Sequence, residues 1–184
     1  MNDKIRQLEE VIAYSDEENK WIKLYFDKVK FPNGSTGRYN RIVEKDGKPA
    51  AAILPIKRGK IGLVNQYRYP IDRFLWEIPR GFGESYETLE EAKRELEEET
   101  GFVAEQATEL GIVHPDSGIL ASKVQLFAVV LDQAQQQPEL LDNEVNVFQW
   151  FYAEEIYSQI AQAKITDVFT ICAVFRARER GLIH

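Results

Sequence analysis

Carboxylate side chains are concentrated in one stretch of this 184-residue chain, from Gly81 to Phe102. The stretch holds eight glutamates against one lysine and one arginine, so its net charge is −6, compared with −7 for the whole chain. Carboxylate oxygens are the ligands that hard cations such as Mg²⁺ prefer. Two kinds of segment would show this charge pattern: a solvated surface helix, which is the commoner kind, or a helix that binds cations.

The second half of this stretch is predicted to form an amphipathic helix. Its apolar stripe consists of three residues at helical spacing: Leu89, Ala92 and Leu96. Thr88 is predicted as the N-cap, with Glu91 three residues later completing a capping box. Gly101 suits the left-handed conformation that ends many helices.

The other face of the predicted helix carries the carboxylates. Glu91, Glu95 and Glu99 follow one another at intervals of four residues, and Glu98 lies three residues after Glu95. Like charges at this spacing cost about 0.2–0.5 kcal/mol per pair. A divalent cation bound by Glu95 and Glu99 would neutralise this repulsion and could polarise a diphosphate. Glu98, on the flank, could complete a second cation site.

The segment Arg94–Phe102 reads REUxEExGU, where U is apolar, and resembles the signature of the Nudix hydrolases. In that signature five residues separate a glycine from a glutamate, and seven residues separate that glutamate from the segment REUxEExGU. Gly81 and Glu87 have the expected separation, but only six residues separate Glu87 from Arg94. The missing residue leaves the role of Glu87 open, and Phe102 replaces the usual aliphatic residue.

The resemblance implies a metal site and the groups that serve it. It implies Glu95, Glu98 and Glu99 as ligands of Mg²⁺, or of Mn²⁺, together with the backbone carbonyl of Arg80. It also implies that Glu98 and Arg94 are needed for catalysis. Arg94 is expected to fix the glutamates through ion pairs instead of touching the substrate.

The residues before the helix narrow the resemblance to one branch. The sequences QYRY at 66–69 and WEIPRG at 76–81 resemble the QYR and E-x-P-x-G runs of the ADP-ribose and nucleoside-diphosphate-sugar pyrophosphatases. In that branch the QYR arginine contacts the phosphates or the terminal ribose, a task that suits a guanidinium fork. The resemblance therefore implies that Arg68, Glu77 and Arg80 bind the substrate. The alternative for Arg68 is an ordinary surface arginine on a strand.

Two predicted loops carry residues that are relevant to the general base and to substrate preference. Glu144, just before the predicted strand VNVFQWF, is the predicted general base, because branch members often supply a glutamate from a late loop. The alternative for Glu144 is a solvated loop carboxylate, and His114 is a second candidate base. Ser117 occupies the position where ADP-ribose hydrolases often carry proline, so a GDP- or UDP-sugar remains an open alternative.

Composition limits the class of protein. A sequence pI near 5.0 argues against a nucleic-acid partner, which usually requires a basic patch. The single cysteine, Cys172, excludes an intramolecular disulfide and fits a reducing cytoplasm. No run of apolar residues is long enough to span a membrane, and the first residues lack the apolar core of a signal peptide. We therefore expect a cytoplasmic protein without a membrane partner.

The predicted fold is of the α/β (α+β) class, a Nudix-type α/β/α sandwich around a mixed sheet. Residues 1–48 are predicted to form a helix over 3–14 followed by antiparallel strands, and residues 49–184 the Nudix catalytic domain. Asp167 is predicted to cap a final helix. The resemblance implies that residues 1–48 pack against a second subunit in an exchanged homodimer.

The expected reaction is Mg²⁺-dependent hydrolysis of the pyrophosphate bond of ADP-ribose or a related nucleoside diphosphate sugar. ADP-ribose would give AMP and ribose 5-phosphate. Two alternatives stay open from the sequence. One is a Nudix hydrolase of another substrate, such as GDP-mannose or a dinucleoside polyphosphate. The other is a Nudix-fold module that binds nucleotides without turnover.

Overall fold

The structure, a computed structural model, describes residues 4–82, 86–135 and 145–184. The chain forms two compact units. The first consists of the chain up to Lys48 together with His114–Ser122, and the second of Pro49–Val113 and Lys123–His184. None of the helices in the described ranges is both long and apolar enough to cross a membrane.

The first unit is built on a four-stranded antiparallel sheet. Its strands are β1 (Arg6–Glu9), β2 (Ile12–Tyr14), β3 (Ile22–Lys30) and β4 (Thr36–Glu44). β4 pairs with β3 along its whole length, whereas β1 and β2 pair with separate parts of β3. β3 is therefore the strand that holds this sheet together.

The helix predicted over residues 3–14 is wrong, because this segment contains β1 and β2. Its apolar side chains do not form a buried stripe: Leu8 is 57% exposed and Ile12 is 54% exposed. Backbone pairing with β3, a segment distant in sequence, decides the conformation, and a local pattern of side chains does not reveal such pairing.

A buried ion pair crosses the first sheet. Asp27 on β3 is held by Arg41 on β4, with 2.9 Å between Nε and Oδ2, and its other oxygen accepts a hydrogen bond from the backbone N–H of Val11. Burial alone would raise the pKa of Asp27, but these donors lower it below its usual value. The guanidinium of Arg41 also stacks over the ring of Tyr25 at 4.1 Å. The pair thus connects three segments of the sheet.

The second unit is a mixed seven-stranded sheet covered by helices. Its strands are β5 (Ala50–Lys57), β6 (Lys60–Arg68), β7 (Arg73–Glu77), β8 (Arg80–Phe82), β9 (Thr108–Val113), β10 (Val124–Val130) and β11 (Val145–Tyr152). The main order is β11–β6–β5–β10–β9, in which only β5 and β10 are parallel. Its helices are α1 (Thr88–Thr100), α2 (Ala153–Ala161) and α3 (Val168–Glu179).

The sheet of the second unit splits between β5 and β6. These two strands pair only beside their connecting turn, at Ile56 with Ile61 and at Lys57 with Lys60. Farther along, β7 pairs with β6 and β8 pairs with β5. The end of β7 and the start of β8 therefore lie where the sheet opens, and open strand ends of this kind commonly form binding sites.

Two apolar cores cover the two faces of this sheet, and β5 contributes to both by alternation. Ala52 and Leu54 belong to a core that includes residues of α2 and α3. Ala51 and Ile53 belong to a second core that includes Ala92 and Leu96 of α1. The predicted α/β/α sandwich around a mixed sheet is confirmed.

One predicted helix cap is wrong and one is confirmed. The N-cap of α1 is Glu87, and Thr88 is already the first helical residue, so Thr88 and Glu91 form no capping box. Glu91 instead pairs with Arg94, because an arginine one turn away is a stronger partner for its carboxylate than a backbone N–H. Asp167 caps α3 as predicted, accepting a hydrogen bond from the N–H of Thr170 at 2.8 Å.

Candidate active site

The side of helix α1 that packs on the sheet determines which of its carboxylates are buried and which are exposed. Ala92 and Leu96 are fully buried against the strands. Glu99, on the adjoining side of the helix, is also buried, whereas Glu98 is half exposed. The apolar stripe predicted from the sequence therefore fixes the rotation of the helix and decides which glutamates face the protein.

The carboxylate of Glu95 lies directly against the backbone of β8. A Cβ atom added to Gly81 would overlap this carboxylate, so only glycine allows the contact. Gly81 pairs with Ala51 of β5, which holds β8 in place next to the helix. The absence of a side chain at Gly81 therefore leaves room for a helix carboxylate beside β8.

Arg94 lies among three glutamates of the same helix. Its Nη2 donates to Oε2 of Glu91 at 2.9 Å, and its Nη1 donates to Oε2 of Glu98 at 2.5 Å. It also forms an ion pair with Glu95. Partial burial alone would lower the pKa of Arg94, but Glu91, Glu98 and Glu95 raise it above its usual value. Arg94 therefore stays charged and offsets part of the acidic cluster.

The pKa of Glu95 shows that this compensation is incomplete. Burial raises the pKa of Glu95, the charge of Arg94 lowers it, and the neighbouring Glu98 and Glu91 raise it again, with a net upward shift. An added cation near this carboxylate would favour its ionised form.

The donor set fits a hard divalent cation. Among the residues that the structure describes, no three acidic, histidine or cysteine side chains already form a metal-binding group. Arg94 lies between the carboxylates instead. The available ligands are nevertheless all oxygens, and the missing side chain of Gly81 leaves room for the Glu95 carboxylate beside β8.

A second charged cluster surrounds Glu77, the last residue of β7, whose side chain is 0% exposed. Its Oε1 lies 2.7 Å from both Nε and Nη2 of Arg68. Its Oε2 accepts a hydrogen bond from Nη2 of Arg80 at 3.0 Å. Burial raises the pKa of Glu77, and the charges of Arg80 and Arg68 act against that shift. The three residues predicted to bind substrate are thus joined in one network.

The network continues to the start of α3. Oδ1 of Asp167 lies 3.6 Å from Nη2 of Arg80, and Oδ2 accepts hydrogen bonds from both the N–H and the hydroxyl of Thr170. The hydroxyl of Thr170 in turn accepts a hydrogen bond from the N–H of Ile78 at 2.9 Å. The guanidinium of Arg80 also stacks on Phe169, 4.7 Å from the ring centroid.

Consecutive residues of β8 connect the two clusters. Arg80 extends its side chain to Glu77 and Asp167, while Gly81 presents its backbone to Glu95. Neighbouring residues of a strand face opposite sides of the sheet, which explains how one short strand serves both clusters.

The remaining predicted positions are distributed as follows. Glu144 lies outside the described residues, so the predicted general base stays a prediction. Ser117 and His114 belong to the first unit, where Nδ1 of His114 lies 3.3 Å from the carbonyl of Ser122. Glu87 is the N-cap of α1, at the point where the shortened spacer meets the helix.

Two residues of the site received no functional role from the sequence. Glu91 is buried and binds Arg94, and its spacing of four residues from Glu95 was a usable signal. Asp167 joins Arg80, but the sequence identifies it only as a helix cap, because nothing local indicates that α3 begins beside β8.

Packing in the core accounts for the aromatic residue Phe102 at a position where the signature usually has an aliphatic one. Phe102 is almost fully buried and packs against the rings of Phe148 and Trp150, with centroid distances of 5.8 and 5.6 Å. The aromatic side chain at the last position of the signature therefore fills an aromatic cluster of this chain.

Comparison with known proteins gives consistent matches. Residues 47–169 match the NUDIX domain. The chain is 31% identical to an ADP-ribose pyrophosphatase of Bacillus subtilis (strain 168), over 92% of this chain and 93% of that protein. It is 33% identical to a methanol dehydrogenase activator of Bacillus methanolicus, over 83% of each chain. A crystal structure of an ADP compounds hydrolase superimposes with a TM-score of 0.78 at 19% identity, covering 98% of this chain and 96% of that one.

Proposed function

The chain belongs to the Nudix family of hydrolases, and from this membership we propose that it hydrolyses the pyrophosphate bond of ADP-ribose or a related nucleoside diphosphate sugar. The products from ADP-ribose would be AMP and ribose 5-phosphate. The observation that carries the proposal is the junction at β8, where Arg80 joins a network with Glu77 and Arg68, and Gly81 adjoins the Glu95 carboxylate of α1. A diphosphate needs both kinds of group, cations for its oxygens and carboxylates for the metal that accompanies it.

The arginine network is proposed to bind the substrate's phosphates. Arg68 is about one quarter exposed, and its guanidinium is held on one side by Glu77. A guanidinium fixed in this way presents its remaining N–H groups to a phosphate without first losing side-chain freedom. Arg80 is engaged by Glu77 and Asp167 and supports this arrangement.

The acidic cluster of α1 is proposed to hold Mg²⁺, with Mn²⁺ as an alternative, through Glu95, Glu98, Glu99 and the carbonyl of Arg80. When bound, the cation would polarise the diphosphate and promote ionisation of the attacking water. Arg94 keeps the glutamates Glu95 and Glu98 oriented and compensates their charge. Glu144 is the proposed group that accepts the proton of the attacking water.

A substrate panel tests this function. Purified protein with Mg²⁺ is expected to release phosphate most efficiently from ADP-ribose, in a phosphatase-coupled assay that also contains ADP-glucose, GDP-mannose and diadenosine polyphosphates. A preference for GDP-mannose or a diadenosine polyphosphate would replace the substrate assignment. No release from any compound with Mg²⁺ or Mn²⁺ would contradict hydrolysis and favour a nucleotide-binding module.

The first unit is proposed to form a homodimer interface. It exposes large apolar side chains that a monomer would leave in water, among them Leu8, Ile12 and Trp21. Light scattering is expected to give twice the 21.3 kDa of one chain. A single-chain mass at micromolar concentration would contradict the dimer. The cytoplasmic location stays a prediction from the sequence.

A further inference from the structure

The buried carboxylate of Glu77 has a role that can be separated from substrate contact. We propose that Glu77 is a positioning residue, which holds Arg68 in the orientation that binds the substrate's diphosphate and does not itself touch the substrate. This inference rests on the proposed function, since it assigns Glu77 a task within the same site. It follows from three features of the network. The Glu77 side chain is buried, Glu77 contacts only one edge of the Arg68 guanidinium, and Arg80 links Glu77 to Asp167 in a closed chain of contacts.

Burial prevents Glu77 from reaching a ligand. Its side chain has no exposed surface, and each of its two oxygens lies within hydrogen-bonding distance of an arginine. A substrate hydroxyl or phosphate would have to displace Arg68 or Arg80 to contact it. Leaving either guanidinium without its carboxylate in this buried setting is costly.

The contact with Arg68 uses only one edge of the guanidinium. Oε1 of Glu77 lies 2.7 Å from Nε and 2.7 Å from Nη2. Among the described residues, Nη1 of Arg68 has no hydrogen-bond partner, so the end of the guanidinium fork is available for an anion. Since Arg68 is about one quarter exposed, a ligand can approach this end. Glu77 therefore selects which edge of Arg68 the substrate meets.

Glu77 is itself fixed from two directions, because the network closes on itself. Oε2 binds Arg80, Arg80 is next to Asp167, and Asp167 binds Thr170. The hydroxyl of Thr170 then accepts the N–H of Ile78, the residue directly after Glu77. Arg80 thereby holds Oε2 of Glu77, while Oε1 stays on Arg68.

A double-mutant cycle between Glu77 and Arg68 tests the inference. Glu77→Gln is expected to lower kcat/KM on ADP-ribose by about 10- to 100-fold, the cost expected when a binding group is misplaced by about 1 Å. Most of this loss should appear as a higher KM. In the Arg68→Ala background the same substitution is expected to cause no further loss, because Glu77 acts through Arg68. An equal loss in both backgrounds would overturn the inference.

Two further variants separate positioning from stability. Glu109→Gln removes a carboxylate from β9, where that carboxylate accepts a hydrogen bond from Gln125 at 3.0 Å, and is expected to keep full activity. If Glu77→Gln does not fold, Glu77→Asp keeps the charge but shortens the reach, and it replaces Gln in the cycle. A loss of melting temperature in either Glu77 variant without any change in KM would show a purely structural role and overturn the inference.

An NMR measurement distinguishes failure of this inference from failure of the proposed function. The side-chain Nε–H of Arg68, identified by its absence in Arg68→Lys, is expected to exchange slowly in the wild-type protein and rapidly in Glu77→Gln. This readout needs no substrate, so it remains valid if the wild-type protein hydrolyses none of the panel. Rapid exchange in the wild-type protein would overturn the positioning role.

Discussion

Replacing Glu95 by Gln is expected to lower kcat/KM on ADP-ribose by at least about 100-fold, because even the outer partners of metal ligands contribute factors of 10–100. Glu95 is the carboxylate that lies directly against Gly81 of β8, the residue that follows Arg80, whose carbonyl is the proposed backbone ligand. The variant should fold normally without metal. In the wild-type protein, burial and acidic neighbours raise the pKa of Glu95, which means that its negative charge is unfavourable there. Gln carries no charge, so the substitution removes this cost.

Two measurements check this result. Mg²⁺ is expected to raise the melting temperature of the wild-type protein and to have little effect on Glu95→Gln. The matched control is Glu97→Gln, which removes an exposed carboxylate from the same helix and should leave both activity and the Mg²⁺ shift unchanged. Full activity in Glu95→Gln, or an unchanged Mg²⁺ shift, would remove Glu95 from the metal site.

Gly81→Ala is expected to reduce activity about as strongly as Glu95→Gln, although it changes no charged group. The added Cβ would overlap the Glu95 carboxylate and displace it from β8. The overlapping atoms are the end of a flexible side chain, so the carboxylate can move aside. The free energy of unfolding is therefore expected to fall by about 1 kcal/mol, the low end of the cost of an extra methyl group in a packed site. Gly81 has no positive φ, so the cost is steric and not conformational.

A double-mutant cycle of Gly81→Ala with Glu95→Ala tests whether the Glu95 carboxylate is the group that the added Cβ overlaps. In that background the space occupied by the carboxylate is empty, and Gly81→Ala should then have little further effect on the free energy of unfolding measured with urea. If the two substitutions are additive, the overlap involves another group and the contact does not explain the glycine. Wild-type activity in Gly81→Ala would show that the Glu95 position seen here is not needed for catalysis.

Much of α1 and its surroundings could be predicted from the sequence, because helical periodicity is a local property. The stripe of Leu89, Ala92 and Leu96 predicted the buried side, and the carboxylate spacing placed Glu95 and Glu99 one turn apart. The Asp167 cap of α3 was predictable for the same reason, since the cap and its N–H partner are three residues apart. The predicted general base, Glu144, lies outside the described residues and stays a prediction.

Local patterns failed where another partner, distant or nearby in the sequence, competes more strongly. Residues 3–14 have the apolar spacing of a helix, but pairing with β3 makes them strands with exposed apolar side chains. The capping box of Thr88 and Glu91 failed because Arg94 takes the Glu91 carboxylate. In the first case the competing partner, β3, is distant in the sequence, so a short window does not contain it. In the second case the partner, Arg94, is near, but the pattern does not show that it binds Glu91 more strongly than a backbone N–H does.

The sequence by itself determined the chemistry of this protein: an oxygen-rich helix face, an arginine before it, and a glycine at the start of the signature. Only the tertiary structure decided how these parts meet. The split between β5 and β6 buries Glu77 between Arg68 and Arg80, and the pairing of β8 with β5 brings Gly81 against Glu95. The physical reason is that residue types and their spacing set charge and periodicity, whereas burial and ion-pair partners depend on segments that are distant in the chain.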